Sequence, residues 1–457
     1  MHRLPKGILL LCLGSLPFLA EAAGNLPAVR QSLQAGRPYV PGELLVQFRP
    51  EASPSSQRLV FGRFAAQAVE RVQARGAGHG DLWRVRLGGN AALTPALLER
   101  LSADSSVDFV EPNWIYRHQD ANPSDPYLGS LWGMQGAATA PANPYGSGAL
   151  ALWNAGRRCD SQVVVGVIDE GLMIGHPELQ PAVWVNPGEA GQRSGVDDDG
   201  NGYVDDLNGW DFNANDASVY DGSGDDHGSH VAGTVAAAIN NGLGVFGVCP
   251  GVRLISAKFL GPRGGTTANA VKAVNYLTDL KSRHHLRLVA SNNSWGGGGY
   301  SQALYNAIAA AGAADILFVA AAGNAGVNID SSPSYPASYA LPNVLAVAAI
   351  DKSGAKASFS NWGTASVAIA APGVDILSTV PTRKGEPGYA SYSGTSMATP
   401  HVTGAAAFYA SLNPCASAAQ IKSALLAKAT SDARLSAYVQ NGRRLDLSGS
   451  VRELKCP

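Results

Sequence analysis

Five short apolar runs, at residues 163–168, 254–259, 288–290, 316–321 and 344–348, constrain the fold of this chain more than any other feature. They lack the apolar–polar alternation of a strand with one wet face. Each is therefore read as a strand buried on both sides within a parallel sheet. Helical patterns fall between and after them, at 230–240, 267–281, 302–311 and 397–411. Strands alternating with helices define an α/β fold, a mainly parallel sheet flanked by helices. Such sheets bind ligands outside the carboxyl ends of their strands, so chemistry is to be sought just after each run. No internal repeat is found.

The N-terminal part reads differently. Residues 1–23 carry a basic head (His2, Arg3, Lys6), an apolar run from Gly7 to Ala20 broken by Pro17, and the small-x-small pattern Ala20-Glu21-Ala22. These are the marks of a secretory signal, too short to span a bilayer. Residues 24–120 read as a small α+β unit, with strands expected at 43–48, 82–87 and 107–110 and a helix at 95–102. A turn-rich linker, Asp120-Ala-Asn-Pro-Ser-Asp-Pro, follows and is open to cleavage. Residues 121–457 carry the sheet. Lys+Arg number 34 against 35 Asp+Glu, so no overall field draws the chain to nucleic acid or to an anionic membrane. Cys12 lies in the signal, which leaves Cys159, Cys249, Cys415 and Cys456 in an oxidising compartment. Four cysteines permit three pairings. The pairing expected is Cys159 with Cys249, which precede two strand-like runs, and Cys415 with Cys456.

Three stretches carry the chemistry. Asp169 directly follows Val-Val-Val-Gly-Val-Ile and, taken alone, is a strand-end carboxylate capping a turn. Asp226-His227-Gly228-Ser229-His230-Val231-Ala232-Gly233-Thr234 sets a histidine at the mouth of a helix of small residues. Ser391-Tyr392-Ser393-Gly394-Thr395-Ser396-Met397-Ala398-Thr399-Pro400-His401 begins an Ala-rich helix, where a lone serine is a helix cap. Together, in the order Asp, His, Ser, they resemble the signatures of the subtilisin-like serine proteases, the subtilases. The segment before the linker, with Val110-Glu111-Pro112-Asn113 at its last strand, is similar to that family's inhibitory propeptide, a small ferredoxin-like domain. The resemblance implies Ser396 as nucleophile, His227 as general base and then acid, and Asp169 as the carboxylate that orients the imidazole. His230 and His401 are left to packing. In Ala320-Ala321-Ala322-Gly323-Asn324-Ala325-Gly326, the resemblance implies Asn324 as a donor to the oxyanion, beside the Ser396 N–H. Ser294-Trp295-Gly296-Gly297 resembles the strand that pairs with substrate backbone. Ala321, Ala322, Gly323 and Ser334 are expected to line an uncharged primary pocket. Trp295 stands where the family commonly has an aliphatic residue, so its subsite is expected to be narrow or to favour flat side chains.

A separate acidic stretch, Asp197-Asp198-Asp199-Gly200-Asn201-Gly202-Tyr203-Val204-Asp205-Asp206, sets oxygen ligands at alternate positions around a glycine. That spacing suits a calcium loop with Asp197, Asp199, Asn201, the Tyr203 carbonyl and Asp205 as ligands. Asn208 replaces the last glutamate of an EF-hand and no flanking helices are evident, so a structural Ca2+ loop is expected; the alternative is a solvated acidic turn. No organic cofactor is expected. The whole reads as a secreted or periplasmic bacterial serine endopeptidase, monomeric, acting on proteins or peptides and made as a zymogen held by its own propeptide. No nucleic acid, and no membrane after signal cleavage, is expected as a partner. A transpeptidase or macrocyclase on the same fold, and a non-catalytic binding protein, are the alternatives.

Overall fold

The computed structural model describes residues 26–34, 39–75, 80–88, 93–114 and 125–449. The signal at 1–23, most of the linker and Cys456, with its expected bond to Cys415, lie outside the described residues. The chain divides into two units, Met1–His118 and Gln119–Pro457.

The first unit runs α1 (Leu26–Gln34), β1 (Tyr39–Phe48), α2 (Pro54–Arg63), β2 (Ala66–Gln73), β3 (Leu82–Leu87), α3 (Pro95–Ser102) and β4 (Val107–Trp114). Its antiparallel sheet has the order β2-β3-β1-β4, the ferredoxin-like arrangement. Leu44, Val46, Phe48, Val85, Leu98 and Val107 fill its core. The sequence pattern had pointed to neither α2 nor β2. Helix α2 starts on a usable signal, the Ser53 cap followed by Pro54, but buries only Gln57 and Val60 and so presents no apolar stripe. Strand β2 is an edge strand, and none of its described side chains is buried.

The second unit contains α4 (Ala149–Asn154), β5 (Val163–Asp169), β6 (Gly209–Asp211), α5 (Asp226–Ala236), β7 (Arg253–Lys258) and α6 (Thr267–Arg283). It continues through β8 (Arg287–Asn293), α7 (Gln302–Ala313), β9 (Leu317–Ala321), β10 (Val344–Ile350) and β11 (Ile369–Pro372) to the hairpin β12 (Ile376–Pro381) and β13 (Pro387–Tyr392). Helices α8 (Thr395–Leu412) and α9 (Ala418–Lys428) and the short β14 (Thr430–Ser431) and β15 (Arg443–Arg444) complete it. Nine strands form one sheet in the order β14-β15-β11-β10-β9-β8-β5-β7-β6, parallel except for β14 against β15.

The apolar runs have the expected cause. In β5, Val163, Val165 and Val167 enter a core shared with α5, α8 and α9, while Val164 and Ile168 enter another shared with α6 and α7. Both faces are dry, so neither set of alternate positions is polar. Two expected elements change. The helix expected at 230–240 starts at Asp226 and stops at Ala236, which puts His227 inside its first turn. The run 288–290 is the middle of β8, whose end, Ser291-Asn292-Asn293, is polar yet buried. Asn292 Nδ2 donates to Ser294 Oγ at 2.9 Å, and Asn293 Nδ2 to the Val319 carbonyl at 3.2 Å.

From β5 the chain builds β7 on one side, then returns to build β8 on the other. The order reverses at β5, which opens a crevice at the carboxyl ends of β5, β8 and β9. Cys159 and Cys249 are bonded, their Cα atoms 5.6 Å apart, just ahead of β5 and β7.

Candidate active site

Asp169 ends β5 with its side chain fully enclosed, and its Oδ1 accepts from His227 Nδ1 at 2.9 Å and from the Glu170 N–H at 2.9 Å. His227 reaches it because α5 starts hard against the loop after β5. A Cβ on Gly228 would stand 2.2 Å from the Gly171 carbonyl oxygen, so only glycine allows this approach. Burial opposes a charged imidazole here. The Asp169 carboxylate and its hydrogen bond, helped by Glu170 and Asp226, outweigh it and lift the His227 pKa to about 9. The helix start is braced by Lys258, whose buried ammonium lies 2.6 Å from Asp221 Oδ2 and 2.9 Å from both Asp225 oxygens.

Ser396 occupies the first turn of α8, which packs against α5. In this conformation its hydroxyl donates to the Ser294 carbonyl at 3.1 Å and makes no hydrogen bond to His227, while Ser294 Oγ donates back to the Ser396 carbonyl at 2.8 Å. Asn324 follows β9. Its Oδ1 is held by the Thr395 N–H at 2.8 Å and the Thr395 hydroxyl at 2.9 Å, which leaves Nδ2 for the cleft. A Cβ on Gly394 would lie 3.4 Å from Asn324 Nδ2 and 3.6 Å from the Ser396 nitrogen, so both donors border one small space kept open by a glycine. The dipole of α8 adds positive potential there.

A cavity of about 310 Å3 opens beside Ser396, with Trp295, Gly296, Gly323, Ala321 and Ser334 among its walls. Ala322, expected there, instead faces the core beneath the sheet, because successive strand residues point to opposite sides. Trp295 packs edge-on against Phe259 at 4.8 Å and also borders a neighbouring cavity of about 350 Å3 with Phe259 and Tyr335. Asn361 is a residue that the sequence reading missed: its Oδ1 accepts the Ala325 and Val327 N–H groups and its Nδ2 donates to the Ala322 carbonyl at 2.9 Å, which fixes the Asn324 loop. It joins from an unrelated loop and no local motif marks it. His230 and His401 are packed. His230 Nε2 lies 2.8 Å from the Ile376 carbonyl oxygen and its ring stacks on Tyr392, and burial drives it down to about 3. His401 Nδ1 lies 2.8 Å from the Met397 carbonyl oxygen, and burial lowers its pKa to about 4.

The acidic loop gathers its carboxylates differently from the expected spacing. Asp197 caps the N–H groups of Gly200, Asn201 and Gly202, and Asp205 caps that of Gly195. The Tyr203 ring packs on Trp210, Phe212 and Tyr276. The oxygens that converge belong to Glu189, Asp199 and Asp206, within 4.8 Å of one another. Glu189 is 7% exposed and its Oε2 has no hydrogen-bond partner, the kind of orphan a cation would satisfy. An oxygen-only donor set of this charge fits a hard divalent ion. Glu189 lies outside the expected ligand stretch, which is why spacing alone did not nominate it.

Residues 160–444 match the model of the subtilase family, Peptidase_S8. An extracellular protease of Xanthomonas campestris pv. campestris is 32% identical over 88% of this chain and 72% of its own length. A thermophilic serine proteinase of Bacillus sp. is 33% identical over 86% of each. Among solved structures, a protease of Pseudoalteromonas arctica superimposes with a TM-score of 0.58 at 26% identity, over 72% of this chain and 98% of that one. No helix among the described residues is long and apolar enough to cross a membrane. The chain belongs to the subtilase family and is a serine endopeptidase.

Proposed function

We propose that this chain is a secreted endopeptidase, made as a zymogen, in which Ser396 attacks the scissile carbonyl with His227 as base. The observation that carries the reading is the bond between His227 Nδ1 and Asp169 Oδ1, which fixes the proton on Nδ1 and leaves Nε2 basic. Ser396 Oγ first turns from the Ser294 carbonyl toward that nitrogen. As the Oγ–C bond forms, the hydroxyl proton passes to Nε2, and the oxyanion sits between Asn324 Nδ2 and the Ser396 N–H. The imidazolium, stabilised by Asp169, then protonates the leaving amine. Water repeats the sequence on the acyl-enzyme.

The neutral walls of the cavity beside Ser396 favour uncharged side chains, and the Trp295–Phe259 wall of its neighbour favours a large flat one. Residues 24–120 serve as propeptide and are cut away in the linker. Phenylmethanesulfonyl fluoride should abolish casein hydrolysis and leave one sulfonyl adduct per chain, on Ser396 by peptide mapping. Full activity after treatment, or an adduct elsewhere, would count against the mechanism.

Calcium at Glu189, Asp199 and Asp206 stiffens the long insertion between Asp169 and His227. In a Ser396→Ala chain, which cannot digest itself, a chelator should lower the thermal midpoint by about 5 °C, the scale expected for losing a ligand held well above its Kd. Glu189→Gln should erase that difference. A midpoint indifferent to chelator would mean an acidic turn and no metal.

A further inference from the structure

Glu170 stands between two members of the site. Its N–H donates to Asp169 Oδ1 at 2.9 Å, and its side-chain Oε1 accepts the backbone N–H of His227 at 2.5 Å. That N–H belongs to the first turn of α5, where amides lack intrahelical partners. The N-cap residue, Asp225, makes no capping bond because its carboxylate is taken up by Lys258 and the Asp221 N–H. Glu170 therefore caps α5 from outside, from the end of the strand that carries Asp169.

We propose that Glu170 is a positioning residue for the general base: it pins the His227 backbone to the end of β5, and its charge sets the pH at which the imidazole becomes neutral. The proposal rests on the reading of His227 as the base. A carboxylate this close favours the imidazolium. Burial, and then the Asp169 charge, push Glu170 itself up to about 7, so the two groups lose protons as a coupled pair. The titratable groups facing this corner are Asp169 at the end of β5, Asp226 and His230 on α5, Tyr392 on β13 and His401 on α8, while Lys258 on β7 is engaged by Asp221 and Asp225. Burial holds His230 and His401 neutral down to about 3 and about 4, and pushes Tyr392, which donates to Asp226, upward. None of these three changes charge across the neutral range.

The sign follows. Ionised Glu170 raises the His227 pKa, so the free base appears at higher pH, and removing the charge moves the acid limb of kcat/KM downward. The full chain is expressed, allowed to mature, and assayed on one peptide across pH. Glu170→Gln keeps an acceptor without the charge and should lower the limb by about 0.5 to 1 pH unit, with the alkaline plateau within about threefold of wild type. Glu170→Ala should lower the limb equally and cut the plateau about tenfold or more, because His227 loses its anchor. Glu170→Asp keeps the charge but shortens the reach, so the limb stays and the plateau falls. A Glu170→Gln limb superimposed on wild type, or a Glu170→Ala plateau equal to it, overturns the proposal. If the amide variant does not accumulate, the alanine variant reads the same shift. Hydrolysis that survives His227→Ala at the wild-type rate would overturn the reading of the base instead, whatever the Glu170 variants do.

Discussion

Ser396→Ala is expected to lower casein hydrolysis about a million-fold, the size of loss known from subtilisin, and to leave the precursor uncut between the two units. Without Oγ no acyl-enzyme forms, and only the oxyanion donors and substrate binding remain to speed attack by water. The fold should not suffer. The hydroxyl makes one hydrogen bond, to the Ser294 carbonyl, and the backbone N–H of residue 396 keeps its place at the start of α8. Intact mass gives the processing and a casein assay gives the rate. A variant that sheds its N-terminal unit and digests casein like wild type would mean that another nucleophile is at work.

Asp169→Asn should cost about 10,000-fold in kcat, the scale seen when the same change is made in a chymotrypsin-type triad. Asp169 Oδ1 accepts two N–H groups at once, from His227 and Glu170. An amide either turns its NH2 toward one of these donors or frees the imidazole to carry its proton on the wrong nitrogen. It also withdraws the charge that most favours the imidazolium, so the His227 pKa falls from about 9 and the acid limb of the rate profile moves to lower pH. Steady-state kinetics across pH test both parts. A loss under tenfold would remove Asp169 from the orienting role.

Parts of this site were legible in sequence because a local signal coincided with the tertiary one. Asp169 is readable because a run buried on both faces ends at it. His227 and Ser396 are readable because each opens a helix of small residues that must pack closely. Other parts depend on contacts that no local pattern carries. Asn361 arrives from a distant loop to hold the Asn324 segment, and Lys258 is only the charged last residue of β7 until Asp221 and Asp225 close on it. Glu170 lies beside Asp169 in the chain, yet its link to His227 exists only once α5 docks. Ala322 was within reach of simple alternation, since a strand that turns Ala321 to the cleft must turn its neighbour to the core. In the acidic loop, turn-forming aspartates satisfy their own backbone, and converging oxygens come from both inside and outside the motif.

The bond between Cys159 and Cys249 closes a covalent ring that takes in Asp169, Glu170, the acidic loop and His227, and leaves Ser396 outside. A neighbouring copy that clips the long segment at 187–225 therefore opens the ring without freeing a fragment. The base and its orienting carboxylate stay tethered on either side of the cut, held by the disulfide as well as by the paired strands β5 and β7. Damage of this kind leaves the molecule's mass on a sizing column unchanged, and only reduction of the disulfide under denaturing conditions separates the pieces.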